Sequence, residues 1–476
     1  MKLIYLALFL GCFLSRAVGG ELPDLGEASR SVLSAQQERR IGESIMASIR
    51  GSSEFMDDAE ATDYLNALGA RLVANSQDPA RSFEFFLMRD NSLNAFALPG
   101  GFIGVHSGLI LSAQSESELA SVLAHEISHV TQNHLARVIA GTQNNMMTSL
   151  AALAVAILAS RSNPQVASAA IATVQAVNVQ SQLDYTREHE READRIGLQM
   201  LEKSGFDPRA MAVFFERLQK YGRLYENNAP VYLRTHPLTT ERIADVQNRV
   251  EPLAYRQITD SLDFYLVRAK LEAERDSLQN VIKMFELALG ERKYSNEAAQ
   301  HYGLAIVLLR DKENTRAERE LTLARKQGVN PMFDVLEIRI KRAAGHPEAA
   351  LGTCRGGLKR YPRHRAMIYV CAETLMQAGL PNEALGLVDR AMKMQNDDIR
   401  LYRLQAEAYG ALGKPVPQHR ALAEVFMLQG NLIEAILQLQ IAVKTQSDDF
   451  YEFSMAEARL RQLLELEREM RQQPQP

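Results

Sequence analysis

A motif that returns at a fixed interval constrains the fold of the second half of this chain. Ala344-Gly345, Ala378-Gly379 and Leu412-Gly413 recur every 34 residues, and the first two lead into Pro-Glu-Ala-Ala and Pro-Asn-Glu-Ala. From about residue 262 onward the apolar residues keep a helical period, without strand patterns. A period of this length, with small residues where helices cross, predicts a stack of helix pairs that bury their apolar faces against their neighbours.

The 34-residue period is typical of tetratricopeptide repeats, which we expect over residues 262–470. Gly430 opens a similar segment only half a period after Gly413, so the repeats are degenerate and we expect about four of them. Residues 251–261 are expected to connect this array to the first half of the chain. Residues 471–476 are expected to form a disordered tail.

The composition of the whole chain is that of an ordinary globular protein. Its 476 residues allow two or three domains and a sizeable core. Hydrophobic residues make up 46% and charged residues 24%, and the absence of Trp with modest Gly and Pro favours helix. The net charge of −4 lacks the excess of basic residues that is typical of nucleic-acid-binding proteins, so we expect no nucleic-acid partner.

The N-terminus has the pattern of a secretory signal peptide. Met1-Lys2 carries a positive charge, residues 3–14 form an apolar run, and small residues follow up to Gly20. Such a run is too short to span a bilayer as a helix, so we expect residues 1–20 to be cleaved off. A short membrane anchor is the alternative interpretation.

Two cysteines, Cys354 and Cys371, remain once the leader is removed. Their spacing is that of facing positions on two neighbouring antiparallel helices, and a disulfide between them is one interpretation in an oxidising compartment. Two buried thiols are an equally good interpretation.

The first half of the chain mixes helix and strand patterns. Residues 34–50 and 58–76 are predicted helices, and the aromatic-rich segment 82–88 is a predicted strand. A second strand pattern, 95–105, is interrupted at Pro99-Gly100-Gly101, which predicts a bent hairpin. Such an edge could hold an extended peptide by strand addition, or it could be plain core sheet, and both interpretations stay open.

His125-Glu126-Ile127-Ser128-His129 spells H-E-x-x-H inside a helical apolar pattern. Residues four positions apart on a helix lie about 40° apart around its axis, so both imidazoles face the same way and suit one zinc ion. Glu126 lies beside them, where it can take a proton from a metal-bound water. Ser115 and Glu118 predict a capping box at the start of this helix.

A third ligand has to come from another segment of the chain. Glu188, Glu190, Glu192 and Asp194 lie on one predicted helix further along. Glu190 and Asp194 share one face of that helix, and Glu188 and Glu192 share another. From the residues alone the choice among the glutamates stays open. Without the upstream motif, a solvated charged face would be the better interpretation.

These motifs carry a family resemblance. His125-Glu-x-x-His129 and Glu190-x-x-Ala-Asp194, preceded by Leu93-Asn-Ala-Phe-Ala-Leu-Pro-Gly-Gly, resemble the zinc endopeptidases of the CaaX prenyl protease and HtpX group. The leader and the repeats narrow the resemblance to periplasmic members of Gram-negative bacteria. It implies unfolded or misassembled outer-membrane β-barrel proteins as substrates, assistance to their assembly, and the barrel-assembly machinery as a partner of the repeats.

The resemblance also implies roles for single residues. His125, His129 and Glu190 would be the ligands of one zinc ion per chain, and Glu126 would be the general base. Asp194 matches the acidic residue of the family that acts at the site. Two roles are open for it, hydrogen bonding to a ligand histidine and proton donation.

Other histidines divide into one candidate and three that we discount. His236, in a His-Pro segment, matches a loop histidine that can reach the zinc, so we expect a regulatory fourth ligand. Oxyanion stabilisation and a plain surface-loop histidine are its alternatives. His134 would point about 140° away from His129 on a continuous helix, and His189 would point about 100° away from the face of Glu190. His106 follows a predicted strand, and we expect it to line the cleft or the surface.

We therefore expect a mainly α fold, with a helical zinc-metalloprotease domain and a small β-sheet over residues 21–255, followed by the repeats. The Ala-rich segment 146–180 is expected to be a buried or amphipathic helical hairpin. A flap with peripheral membrane contact is the alternative for that segment. The alternative for the whole chain is a tetratricopeptide chaperone or scaffold of barrel assembly whose metal site is latent.

Overall fold

The computed structural model describes residues 34–140, 187–224, 230–254, 257–445 and 449–472. The predicted signal peptide and the Ala-rich segment 146–180 lie outside these residues. In the first half, helices surround a small sheet. Its described elements are α1 (Ala35–Arg50), α2 (Ala59–Val73), β1 (Glu84–Met88), β2 (Ala95–Leu98), β3 (Phe102–His106), α3 (Ser107–Ser112), α4 (Glu116–Thr131), α5 (His134–Ala140), α6 (Arg187–Lys203), α7 (Arg209–Leu224), α8 (Val231–Thr235) and α9 (Thr240–Val250).

The described residues from 262 onward are helical throughout, which confirms the mainly α fold. The helices are α10 (Leu262–Ala273), α11 (Leu278–Glu291), α12 (Glu297–Arg310), α13 (Asn314–Arg325), α14 (Pro331–Ala343), α15 (Pro347–Arg360), α16 (Arg365–Gln377), α17 (Pro381–Met392), α18 (Ile399–Ala411), α19 (Pro415–Leu428), α20 (Leu432–Lys444) and α21 (Phe450–Gln472). The last helix therefore includes Arg471 and Gln472, the first two residues of the predicted tail. No helix in the described part of the chain is long and apolar enough to cross a bilayer.

The sheet has three strands in the order β1-β3-β2. β1 pairs with β3 in parallel, and β2 pairs with β3 as the predicted antiparallel hairpin. Gly100 and Gly101 form its turn at φ of 79° and 83°, a left-handed conformation that favours glycine. A Cβ at Gly100 would lie 2.6 Å from the Cα of Arg39, so the turn packs directly on α1.

Helix α4, which carries the H-E-x-x-H motif, is the central helix of the first half, and all of its residues are buried. Ser115 caps it by accepting a hydrogen bond from the Glu118 N–H, as predicted. The Glu118 carboxylate accepts instead from the backbone N–H of Gln114 (2.7 Å), and Arg217 pairs with it. Neighbouring elements therefore cover every side of this helix, its polar positions included.

The 34-residue recurrence marks the ends of helices. Gly345, Gly379 and Gly413 follow α14, α16 and α18 with φ of 79°, 74° and 68°. Two residues after each glycine, a proline occupies the first turn of the next helix. The left-handed glycine ends one helix and the proline begins its partner, which is why the motif repeats with the helix pairs.

A disulfide between Cys354 and Cys371 joins α15 to α16, with a Cα–Cα distance of 5.5 Å. Both cysteines are buried in a core of the repeat array. Of the two interpretations of this pair, the structure therefore contains the cross-link.

The repeat array contacts the first half of the chain at several points along its length. Lys270 on α10 pairs with Asp58 (2.6 Å), and Arg365 on α16 pairs with Asp63 (2.6 Å). Near the end of the array, a Cβ built at Gly430 would lie 2.9 Å from the Cβ of Ala47 on α1. The beginning, middle and last part of the array thus all touch α1, α2 or the segment between them.

Candidate metal centre

The two histidines of α4 point at the same place, with Nε2 of His125 and Nε2 of His129 2.9 Å apart. Helix α6 packs closely against α4 because its facing residues are small. Ala193 is fully buried, and a Cβ at Gly197 would lie 3.2 Å from the backbone nitrogen of His125. This close approach brings the buried carboxylate of Glu190 onto the histidines.

Glu190 and His236 complete a group of four donor residues. Oε1 of Glu190 lies 3.4 Å from Nε2 of His129 and 3.0 Å from Nδ1 of His236. His236, which directly follows α8, also places Nδ1 3.3 Å from Nε2 of His125. Four ligand atoms, one from each residue, lie within 4.8 Å of one another. Of the three candidate glutamates, Glu190 is therefore the one that meets the histidines.

The spacing of these donors fits a zinc ion. Tetrahedral zinc with ligand bonds of about 2.0–2.1 Å holds its ligand atoms roughly 3.3 Å apart. Four of the six separations among the donor atoms, 2.9, 3.4, 3.0 and 3.3 Å, lie around this value, and the other two are at most 4.8 Å. Imidazole nitrogen and carboxylate oxygen are also ligands that zinc prefers.

Asp194 and Arg242 support the donor group from behind. Oδ1 of Asp194 lies 2.9 Å from Nδ1 of His125. The same carboxylate accepts hydrogen bonds from Nε (2.7 Å) and Nη2 (2.8 Å) of Arg242, whose Nη1 lies 2.7 Å from Oε2 of Glu190. Burial raises the pKa of Asp194, but the charge of Arg242 and the hydrogen bonds with His125 and Arg242 together lower the pKa below its ordinary value. The geometry therefore favours orientation of His125 over proton donation.

Arg242 was not among the site residues predicted from the sequence. The available signal was the pair of acidic residues, Glu190 and Asp194, on the face of α6 that meets the metal helix. Two buried carboxylates need a cation beside them. That signal indicates that a basic residue lies near, but it does not say which one.

The two ligand histidines of α4 have pKa values shifted in opposite directions. Burial disfavours a charged His125, yet its hydrogen bonds with Asp194 and Glu190 raise the pKa to about 10. For Glu190, burial raises the pKa, but the charge of His236 and a hydrogen bond from His125 lower it well below its ordinary value. Burial and the neighbouring charge of His125 keep the pKa of His129 well below the usual value.

Glu126 faces the same centre without being one of the four donors. Its Oε1 lies 3.4 Å from Nε2 of His236, and the carboxylate accepts a hydrogen bond from the backbone N–H of Ala97 in β2. Burial raises the pKa of Glu126, the largest of the effects upon it. A carboxylate with a raised pKa beside a metal site suits a general base at neutral pH.

The three discounted histidines lie outside the donor group, in agreement with the prediction. His134 nevertheless touches it, with Nδ1 2.9 Å from Nδ1 of His129. The predicted angle assumed a continuous helix, whereas α4 ends at Thr131 and Asn133 turns the chain at φ of 52°. His189 stacks on His134, and His106 contacts Ser92 at the end of β3.

A narrow crevice lies between the hairpin and the C-terminal end of α4. Arg81 bridges it, donating to the backbone oxygen of Val130 (2.8 Å) and to Oδ1 of Asn133 (2.8 Å). The same guanidinium pairs with Glu38 of α1 at 2.5 Å. Helix α1 therefore covers this side of the centre, through an ion pair that is almost fully buried.

The fold and the site together define a class of protein. An H-E-x-x-H helix, a glutamate from a second helix and a neighbouring strand are the arrangement of a metallopeptidase, and here they are joined to a helical repeat array.

Comparisons with known proteins agree with this class. The profile of Peptidase family M48 matches residues 59–250, and a tetratricopeptide repeat profile matches residues 341–408. The "Beta-barrel assembly-enhancing protease" of Escherichia coli O157:H7 is 34% identical over 94% of this chain and 92% of its own length. A "Putative beta-barrel assembly-enhancing protease" of Vibrio cholerae is 35% identical over 92% of this chain and 90% of its own.

This chain belongs to the β-barrel assembly-enhancing proteases, a group of M48 metallopeptidases that carry tetratricopeptide repeats. Among solved structures, the yeast Tom70 is similar at 13% identity and a TM-score of 0.30, covering 75% of this chain and 84% of that one. That similarity is too low to support an inference.

Proposed function

We propose that this chain is a periplasmic zinc endopeptidase that degrades misassembled outer-membrane β-barrel proteins and assists their assembly. The observation that carries the proposal is the buried group of four donors with Glu126 beside it. The substrate class comes from the relatives whose names refer to β-barrel assembly and which match this chain over nearly its full length.

His125, His129 and Glu190 would hold one zinc ion per chain. When bound, zinc lowers the pKa of a coordinated water and polarises the scissile carbonyl. Asp194 would fix the orientation of His125 and, with Arg242, balance the charges around Glu190. Asp194 then acts as a positioning residue, because both of its oxygens are engaged by Arg242 and one of them also faces His125.

Glu126 would take the proton of the attacking water and pass it to the leaving amine. Its carboxylate lies between the donor group and β2, where a peptide bond would have to come. In the described residues β2 pairs with β3 alone, and an extended peptide could pair with its other edge only if the elements that bury this strand moved aside. The hydrogen bond from Ala97 to Glu126 ties this edge to the general base.

His236 would close the site in the resting protein. Its Nδ1 takes the fourth donor position, so a water or a substrate carbonyl has to replace it. The α8 segment is also held in place, because the Tyr232 N–H donates to the oxygen of Leu93, just before β2 (3.3 Å), and the Tyr232 ring stacks on His236. The segment therefore lies both at the metal position and beside the strand proposed to hold substrate.

The disulfide supports the periplasm as the compartment. A buried cross-link such as Cys354–Cys371 forms and persists in oxidising surroundings. The signal-peptide pattern of residues 1–20 also supports the periplasm.

The repeats would bind the barrel-assembly machinery and unfolded barrel proteins. Part of the array is already taken up by contacts with α1 and α2, through Lys270, Arg365 and Gly430. The partner surface would therefore consist of repeat faces that these helices leave uncovered.

A chaperone or scaffold with a latent metal site is the second candidate function. The position of His236 favours it, since a centre with all four positions filled by the chain does not hydrolyse peptides. Glu126→Gln separates the two candidates.

Glu126→Gln should lower cleavage of an unfolded outer-membrane barrel protein by at least about 100-fold, because the general base is lost. Zinc content should stay at the wild-type level, because Glu126 is not one of the donors. Glu188→Gln, at an exposed carboxylate two positions before Glu190, is the matched control and should cleave normally. Full cleavage by zinc-loaded Glu126→Gln would refute the role of Glu126. Retained assembly activity without cleavage would place both functions in this chain.

His236→Ala should raise basal cleavage of the same substrate, because the fourth position becomes available to water. The control is His346→Ala, at an exposed histidine between two repeat helices. Unchanged or lower cleavage by His236→Ala would argue against closure and for oxyanion stabilisation.

A further inference from the structure

The two ligand histidines of α4 differ in what their second ring nitrogen touches. Nδ1 of His125 faces a carboxylate directly, at 2.9 Å from Oδ1 of Asp194. Nδ1 of His129 faces another imidazole, at 2.9 Å from Nδ1 of His134. A metal-ligating histidine usually donates its other N–H to a carboxylate or a carbonyl. His129 departs from this pattern, unless the chain of hydrogen bonds continues.

It does continue. Nε2 of His134 lies 3.1 Å from Oε2 of Glu192, and the same oxygen accepts from Nη1 of Arg137 at 2.8 Å. His134 is completely buried at the start of α5, and the left-handed Asn133 turns it back toward the metal helix. Glu192 lies on α6, two positions after Glu190. The chain therefore runs from the donor group, through two imidazoles, to a carboxylate paired with an arginine.

With both imidazoles neutral and Glu192 ionised, only one placement of protons satisfies every member of this chain. A hydrogen bond between two Nδ1 atoms needs one hydrogen between them. If His134 supplied that hydrogen as a neutral ring, its Nε2 would present a lone pair to the carboxylate of Glu192, which can only accept. If His129 supplies it, His134 keeps its hydrogen on Nε2 and donates to Glu192. The second placement also leaves a lone pair on Nε2 of His129, the atom that faces Glu190.

We propose that His134 and Glu192 are positioning residues that fix His129 as its Nδ1–H tautomer, with Nε2 directed at the metal. The proposal rests on the proposed zinc function. It assigns the two residues no contact with substrate, and it gives them the role for His129 that Asp194 has for His125. Arg137 keeps the carboxylate of Glu192 ionised and in place.

The test is the zinc affinity of the full-length, metal-free chain, measured by competition with a chromophoric chelator. His134→Leu removes the acceptor for His129 and should weaken zinc binding by about 10- to 100-fold. His134→Asn can place Oδ1 where Nδ1 of the histidine lies, so it should recover most of that loss. His301→Leu is the matched control, because His301 pairs with Glu320 in the repeats (2.7 Å) and should leave zinc affinity unchanged.

Glu192 tests the same link at a partly exposed position, where a substitution disturbs the core less than at His134. Glu192→Leu should weaken zinc binding, and Glu192→Gln, whose amide oxygen can still accept from His134, should weaken it less. Cobalt(II) loaded into the chain supplies a second readout. Its visible absorption bands should shift in His134→Leu and remain as in the wild type in His301→Leu.

The outcomes separate this proposal from the proposed function. Wild-type chain that fails to bind zinc overturns both. Zinc binding by the wild type, with equal affinity in His134→Leu and Glu192→Leu, overturns the positioning role alone. That role is also overturned if His134→Asn loses as much affinity as His134→Leu, because the acceptor atom would then not matter.

Discussion

The metal centre and the repeat array hold their parts together in different ways. In the metal centre, buried charges from α4, α6, α9 and the residue after α8 depend on one another, and Arg242 alone pairs with two carboxylates. In the array, each helix pair is set by local signals, such as the left-handed Gly379 followed by a proline. Loss of one residue should therefore affect many partners in the first region and only neighbours in the second.

The largest effect is expected at Arg242. Arg242→Ala leaves the buried carboxylates of Glu190 and Asp194 without their counter-charge, which should cost about 3–5 kcal/mol of unfolding free energy. Thermal or urea unfolding of the chelator-treated protein measures this loss. Zinc should recover part of it, because the ion supplies positive charge beside Glu190.

Arg249→Ala is the control on the same helix, since its half-exposed ion pair with Asp245 should contribute less than about 1 kcal/mol. Equal losses for the two arginines would show that the charges of the centre are not mutually dependent, and the comparison of the two regions would fail.

A smaller effect, confined to the array, is expected at the disulfide. Reduction of Cys354–Cys371 opens a short loop and should lower the unfolding free energy of the array by about 3 kcal/mol. Zinc affinity should not change, because the cross-link lies among repeat helices. A chain with both cysteines changed to Ala is the control, and the same reductant should leave its unfolding midpoint where it was. A loss of zinc on reduction of the wild type would show that the regions are coupled.

The smallest effect is expected at single glycines of the array. Gly379 has φ of 74° and open space around its Cα, so Gly379→Ala should cost about 1 kcal/mol through backbone strain alone. Gly352, inside α15, also has open space, and Gly352→Ala should stabilise by about 0.5–1 kcal/mol because helix propensity rises. Urea midpoints of the two variants should shift in opposite directions. Shifts of the same sign would mean that the left-handed turn does not set the repeat.

The sequence predicted what depends on neighbouring residues. The helical spacing of His125 and His129, the hairpin turn and the glycines at helix ends are all local signals, and the structure contains each of them. The choice of Glu190 over Glu188 and Glu192 was not local, because it depends on how α6 is rotated against α4. Small residues such as Gly197 decide that rotation through close packing.

Contacts between distant segments were also beyond local patterns. The position of Arg242 beside two carboxylates follows from the packing of α9 on α6, and the turn of His134 toward His129 follows from a single left-handed residue. Gly430, late in the array, lies against Ala47 of α1 because small rotations between successive repeats add up along the array. None of these quantities has a signature within a few residues of sequence.

X-ray absorption at the zinc edge tests the central claim most directly, namely that four donors of this chain form one zinc site closed by His236. The wild-type protein should show three imidazole nitrogens and one carboxylate oxygen around the ion. His236→Ala should show two imidazole nitrogens, with an additional light oxygen ligand in place of the third. Identical spectra for the two proteins, or a wild-type spectrum with two imidazoles, would contradict the account.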